Sequence, residues 1–340
     1  MAWARAARGT QRTYTFGGMY RDCTDVRIAR RVAAICAQEH RVLEVGTEFQ
    51  RQFAELAEKT VYLTDGAMDV SGAPDLFVNR IARQISPVRL TGNYGGEILR
   101  RIVAFKPMPL RSGAFSAATR ASMAGARDRY AGQLDDDRLA FVAFKQVPWH
   151  HHSRFALERS QLTLRSPYLD NELVALAFRA PAGAALQTEL ALRLIADGNP
   201  ALAGLGTDRG LLRRGVPLLT PLVHGYQEFM FRAEYAYDYG MPDWLAQLDN
   251  SLRLLHLEKL FLGRHKFYHF RYWYRNALAP YVREILLDER SLSRPHIERR
   301  GLAALVAAHT SGRANYTLEL HRLLSLELLH RALLDPGAER

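Results

Sequence analysis

Two patterns of apolar and polar positions divide this chain. From Thr13 to about Arg101, short apolar runs alternate with stretches of helical spacing. Thr13-Tyr14-Thr15-Phe16 is β-branched and aromatic and stops at Gly17-Gly18, which predicts a strand. Val26, Ala29, Val32, Ala33 and Cys36 recur at helical intervals and predict a helix from Asp25 to about Gln38. His40 to Val45 reads as a strand, Phe49 to Leu63 and Leu76 to Ile85 as helices, and Pro87-Val88-Arg89-Leu90 as a strand again. Strands separated by helices imply a parallel sheet with right-handed crossovers, and ligands then sit beyond the carboxyl ends of the strands. Gly17-Gly18 and Thr91-Gly92 occupy that kind of position.

After about residue 110 the pattern turns mainly helical. Leu139 to Val147, Glu158 to Leu164, Glu172 to Phe178 and Glu189 to Asp197 are short apolar-periodic pieces. Longer ones run from Pro242 to about Leu262 and from Phe267 to Leu287. The last, Leu318 to Leu334, carries leucine on nearly every face, as buried helices do, and stops at Asp335-Pro336-Gly337. Ala180 to Ala185 and Gly204 to Leu219 read as irregular connections. The expected organisation is an α/β region over 1–110 and a mainly helical remainder over 111–340.

Composition narrows the class without naming a function. At 340 residues and 48% hydrophobic, the chain can bury a sizeable core. No apolar run approaches the roughly 20 residues that cross a membrane, and the basic start, Met1 to Arg8, is not followed by an apolar signal core. With only Cys23 and Cys36, a disulfide framework is not expected and a reducing, cytoplasmic setting is the simplest. The net charge of +11 comes almost wholly from arginine, lysine standing only at Lys59, Lys106, Lys145, Lys259 and Lys266. Those arginines are scattered among acids and leucines, so a solvated surface explains them better than a nucleic-acid interface.

Two segments carry the candidate chemistry: Thr91-Gly92-Asn93-Tyr94-Gly95-Gly96-Glu97-Ile98-Leu99-Arg100 and Arg165-Ser166-Pro167-Tyr168-Leu169-Asp170. The first has the layout of strand, glycine turn and helix start, which offers backbone N–H groups to a phosphate or adenine. With Thr15-Phe16-Gly17-Gly18, Asp25 through Ala33 and Glu172-Leu173-Val174, these segments resemble the synthetase domain of the glutamine-dependent asparagine synthetase family. The resemblance runs from about Thr13 to the C-terminal leucine helix. Arg165 to Asp170, similar to an arginine-x-proline-aromatic-leucine-aspartate segment, is its most specific part.

The resemblance implies an adenine-nucleotide alpha-hydrolase-like fold of the N-type ATP pyrophosphatases, Rossmann-like and here N-terminally incomplete. It also implies an ATP-dependent ligase that activates a small-molecule carboxylate as an acyl-adenylate and passes it to ammonia. That chemistry needs phosphate donors, Mg²⁺ and charge stabilisation at the acyl centre. Phe16, Gly17 and Gly18 would lie against adenine, and Thr91 and Gly92 would contact the nucleotide. Glu97 is the acid left in the second loop, binding metal indirectly or orienting the loop. Arg165 and Asp170 serve either a substrate or a structural salt bridge.

Departures from the family are as informative as the matches. The family's serine-glycine-glycine-x-aspartate-serine loop has no counterpart. Either it and the first strand are missing ahead of Met1, or Phe16 to Asp22 is a degraded version of it. The glutaminase domain, whose nucleophilic cysteine follows the initiator methionine in the family, is not expected here, since Ala2 stands there. Asn93 and Gly96 replace two acids of the second loop, which removes charge that Mg²⁺ needs. The expected function is therefore a truncated or degenerate ligase domain of reduced or no activity alone, served by a separate glutaminase subunit or an upstream-encoded fragment. The alternative is an inactive remnant that binds a nucleotide or a partner.

Other constellations read as structural. His150-His151-His152 reads as a loop, and no metal site is expected. His265 and His269, four apart, share a helical face if that segment is a helix, but their neighbours Phe267, Tyr268 and Phe270 indicate packing. The aromatic and basic run Phe267 to Arg275 fits a half-buried helix with snorkelling arginines as well as it fits base stacking.

Overall fold

The computed structural model describes residues 7, 9–104, 113–133, 137–181, 183, 189–208, 219–252, 255–260 and 262–335. It is an α/β mixture dominated by helix. The strands among the described residues form two separate parallel pairs where the sequence pattern predicts a single sheet.

β1 (Arg12–Gly18) lies beside β2 (Glu39–Val45) in register from Arg12 opposite Glu39 to Gly18 opposite Val45. The crossover is α1 (Thr24–Ile35), which packs on both strands and buries Val26 and Ala33. α2 (Thr47–Leu63) follows, burying Phe49, Phe53, Leu56, Ala57, Thr60 and Val61 along one stripe. α3 (Ala73–Ile85) leads into β3 (Val88–Leu90) and then α4 (Gly95–Arg100). All of these elements match the sequence expectation in kind and place.

The second half agrees less well. α5 (Ala117–Ala131) is a polar, alanine- and arginine-rich helix with no apolar stripe, so periodicity gives no sign of it. α6 (Arg138–Phe141) continues as a π-helical stretch, Val142–His151, into α7 (His152–Arg159). The three successive histidines are thus helical and not a loop. The expected helix over Glu158 to Leu164 ends at Arg159, because the Thr163 N–H is taken by the Pro87 carbonyl at 2.8 Å. Thr163 begins β4 (Thr163–Arg165), which pairs parallel with β3 from Val88 opposite Thr163 to Leu90 opposite Arg165. Long-range pairing overrides the helical spacing there.

α8 (Asn171–Arg179) and α9 (Glu189–Gly198) fall where expected. Of the two irregular connections, residues 182, 184, 185 and 209–218 lie outside the described residues, and so do 336 and 337 of the predicted stop. α10 (Leu219–Tyr235) emerges at the end of the second connection. The helix expected over Pro242 to Leu262 is α11 (Asp243–Ser251) followed by a separate 3-10 turn, with His256 left-handed at φ 48° between them. The helix expected over Phe267 to Leu287 is likewise two. α12 (Phe270–Arg275) stops at Asn276, and α13 (Ala279–Leu286) restarts with Pro280 in its first turn, where the missing N–H costs nothing. α14 (Glu289–Leu292), α15 (Arg299–Thr310) and the leucine-rich α16 (Thr317–Leu329) follow, the last continuing as a π-helical stretch, His330–Leu334.

One hydrophobic core joins both sides of residue 110. Phe49 and Phe53 of α2 meet Trp273 and Phe270 of α12 at ring-centre distances of 5.4 Å and 5.9 Å. Leu320, Leu323 and Leu324 of α16 complete this core, all buried. Two histidines sit inside it. The His309 Nδ1 accepts the Tyr316 N–H at 2.9 Å, and the His321 Nδ1 is 3.0 Å from the Tyr274 hydroxyl. Burial, with Arg271 and Arg275 nearby, pushes His309 down to about 3, and burial pushes His321 down to about 4.

These two groups make the fold acid-labile. Below the ordinary histidine value of 6.5 the unfolded chain takes up protons that the folded chain refuses until about pH 4 or lower. The unfolded state therefore binds more protons in that window, and stability falls as pH falls through it. By pH 5 the loss is about 2 kcal/mol for each histidine. Chemical denaturation at pH 7 and pH 5 measures it, and His321→Gln is expected to shrink the difference by that amount whatever its stability at pH 7. An unchanged difference refutes the assignment.

Candidate functional site

The pairing of β3 with β4 brings together the two segments singled out in the sequence. The Thr91 N–H donates to the Arg165 carbonyl at 2.9 Å, and the Ser166 hydroxyl donates to the Asn93 carbonyl at 2.8 Å. A Cβ added at Gly95 would lie 3.0 Å from the Tyr168 ring, so the glycine permits this contact. Gly92 is exposed, and nothing lies within 4 Å of where its Cβ would be. Asp170 accepts the Glu172 and Leu173 N–H groups at 2.9 Å and 3.3 Å, which makes it the N-cap of α8. Arg165 is exposed and has no ion pair among the described residues.

The turn between Thr91 and α4 is tight. The Thr91 hydroxyl accepts the Asn93 N–H at 3.2 Å, and Tyr94 adopts the left-handed region at φ 74°. For a bulky residue that conformation is strained, and packing holds it. The Tyr94 ring lies 4.7 Å from Phe155 and edge-on to His151 at 4.9 Å, and burial raises its phenol above the usual range. α4 has only six residues, short for the helix-end field expected of it. Glu97, in its first turn, faces inward, 3.8 Å from the His151 Nε2. The buried Gln146 amide lies 3.2 Å from the same nitrogen and accepts the Ala104 N–H at 2.9 Å.

Beneath the turn runs a buried ionic ladder. Arg89, the charge inside the apolar β3 run, pairs with Glu158 of α7 at 2.9 Å and donates to Asn79 of α3 at 2.6 Å. The Arg89 and Glu158 side chains are 10% and 4% exposed, so their pairing is a condition of their burial. Arg154 of α7 reaches Asp75 of α3 at 2.9 Å. Burial raises the Glu158 carboxyl, with Arg89 and Arg154 pulling it back. Sequence reasoning missed this ladder; a lone arginine in an apolar strand is the signal that marks it.

The end of β1 is covered by the chain itself. Gly17 and Gly18 lie within the strand, and a Cβ on Gly18 would come 2.5 Å from the Phe267 carbonyl oxygen. Phe16 packs edge-on against the Phe267 ring at 5.6 Å. A buried cluster fixes the covering loop. Glu234 accepts the Gly263 and His265 N–H groups, each at 2.7 Å, and lies 3.4 Å from His269. Lys266 donates to Asp238 and sits 3.9 Å over the Tyr239 ring. Burial lowers Lys266; it would raise Asp238, but Lys266 and His269 prevail and hold that carboxyl low. His265 and His269 do not share a helical face, since α12 begins only at Phe270. No group of three or more metal-ligating side chains is assembled among the described residues.

A groove of about 1010 Å³ opens beside β4, between Phe155 and Arg159 of α7 and Leu164, Arg165 and Leu169. No protein-family model matches the chain, and neither a curated protein nor a solved structure matches it significantly.

The ladder gives a direct test. Glu158→Ala leaves the Arg89 charge buried and is expected to cost about 3–5 kcal/mol in urea denaturation, whereas replacing both by Leu and Met recovers most of the loss. Equal losses in the single and double variants contradict the pairing.

Proposed function

We propose that this chain is an asparagine synthetase-like domain whose Thr91–Glu97 turn holds an adenine nucleotide, with ligase turnover reduced or lost in the chain alone. The observation that carries this reading is the adjacency of the Thr91 turn and the Arg165 segment at the carboxyl ends of β3 and β4. Parallel strands place ligand-binding turns there. The open space at Gly92 and the neighbouring Thr91 hydroxyl fit a phosphate or ribose. With ATP bound there, a carboxylate would be activated by taking up the adenylyl group, with pyrophosphate as the leaving group. The exposed Arg165 would draw in an anionic small-molecule substrate, and Asp170 would position its helix.

The residues fit Mg²⁺ less well. Mg²⁺ is held by carboxylates together with phosphates, and the turn offers one acid, Glu97, which faces His151, while Asn93 and Gly96 carry no carboxylate. The β1 end offers adenine little room, since Phe267 already lies against Phe16 and Gly18. The single acid favours binding over turnover, and the covered β1 end leaves Thr91 and Gly92 as the contacts for the nucleotide.

Equilibrium dialysis with radiolabelled ATP is expected to detect binding that Gly92→Val weakens at least tenfold, with the melting temperature unchanged. ATP–pyrophosphate exchange in the presence of aspartate and Mg²⁺ is expected at background. Exchange above background overturns the loss of turnover; absence of binding overturns the nucleotide site.

A further inference from the structure

Among the described residues, the groove beside β4 combines a free strand edge, an apolar wall and two arginines without an ion pair. Thr163 donates to Pro87 and Arg165 accepts from Thr91, so both of these residues face β3. Side chains and backbone groups alternate along a strand, so the intervening Leu164 turns its N–H and C=O away from β3. Among the described residues β4 has no second strand partner. Opposite this edge, α7 contributes Phe155 and Ala156 to the groove wall, and Leu162 and Leu164 continue the apolar lining.

Charge selects the occupant. Arg159 and Arg165 both line the groove, both are exposed, and neither has an ion pair among the described residues. The acid in the lining, Asp170, is committed to capping α8. At about 1010 Å³ the groove sits at the upper end of the roughly 300–1,000 Å³ of small-ligand sites, which suits a longer, extended ligand.

We propose that this groove binds an extended acidic peptide that adds to β4 as a third strand, its carboxylates meeting Arg159 and Arg165. Strand addition supplies main-chain hydrogen bonds through Leu164, the apolar wall takes alternate side chains, and the arginines select for acid. The peptide site does not require a nucleotide at Thr91, although Arg165 and the Thr91–Arg165 hydrogen bond link the two.

The test pans displayed random heptapeptides on the full chain without nucleotide, then measures the recovered peptides by fluorescence anisotropy. The expected sequences alternate β-branched apolar residues with Asp or Glu. Arg159→Glu combined with Arg165→Glu is expected to weaken binding at least tenfold, and added salt to weaken it further. Leu164→Pro removes the outward N–H together with a leucine side chain that packs on the core, and is expected to abolish binding. Should that variant unfold, protection of the Leu164 amide from hydrogen exchange on adding peptide gives the same answer. Failure to recover acidic sequences, binding indifferent to both arginines, an unprotected Leu164 amide, or displacement by oligothymidylate but not by free acidic peptide each overturns the proposal.

Discussion

The burial of four aromatic rings contributed by distant parts of the chain is the constraint on which the rest depends. Phe49 and Phe53 come from α2, Phe270 and Trp273 from α12, more than two hundred positions later. Because α12 is fixed in that core, the loop immediately before it is fixed too, and Phe267 is laid across the end of β1. Aromatic burial of this kind dominates core energetics. It also decides a functional matter, since the strand end that would face a ligand faces the chain's own backbone. The polar cluster of Glu234, Asp238, Lys266 and His269 then serves that geometry. It satisfies the loop's N–H groups in a place water does not reach.

How much of this was legible in the sequence varies by region, for physical reasons. The first hundred residues announced their elements because local spacing and tertiary burial agree there: Val26 and Ala33 are both periodic and buried. Thr163 and Leu164 read as helix by spacing because nothing local reveals that Pro87 and Thr91 will claim the backbone of this stretch. Asn276 and Pro280 together divide what apolar content makes look continuous. α5 is unreadable for the opposite reason, having no buried stripe to leave a period.

The candidate site shows the same division. Thr91, Gly92 and Arg165 were recognisable as a pair of segments, and the structure places them side by side. Their supports were not: Tyr94, His151, Gln146 and the Arg89–Glu158 pair act through contacts between elements far apart in sequence. Asp170 was legible as important but not as what it is, a helix cap, because a capping aspartate and a substrate-binding one look alike in one dimension.

The Thr91–Arg165 hydrogen bond also has a dynamic consequence. β3 and β4 are three residues each, so neither has enough ladder to stay ordered without the other. Whatever opens the edge at Arg165 releases the Thr91 amide, and whatever loosens the glycine turn frees Ser166 from Asn93. The turn and the segment beyond β4 therefore form one cooperative opening unit, with a shared free energy and a shared rate. An occupant of either would slow the fluctuations of both.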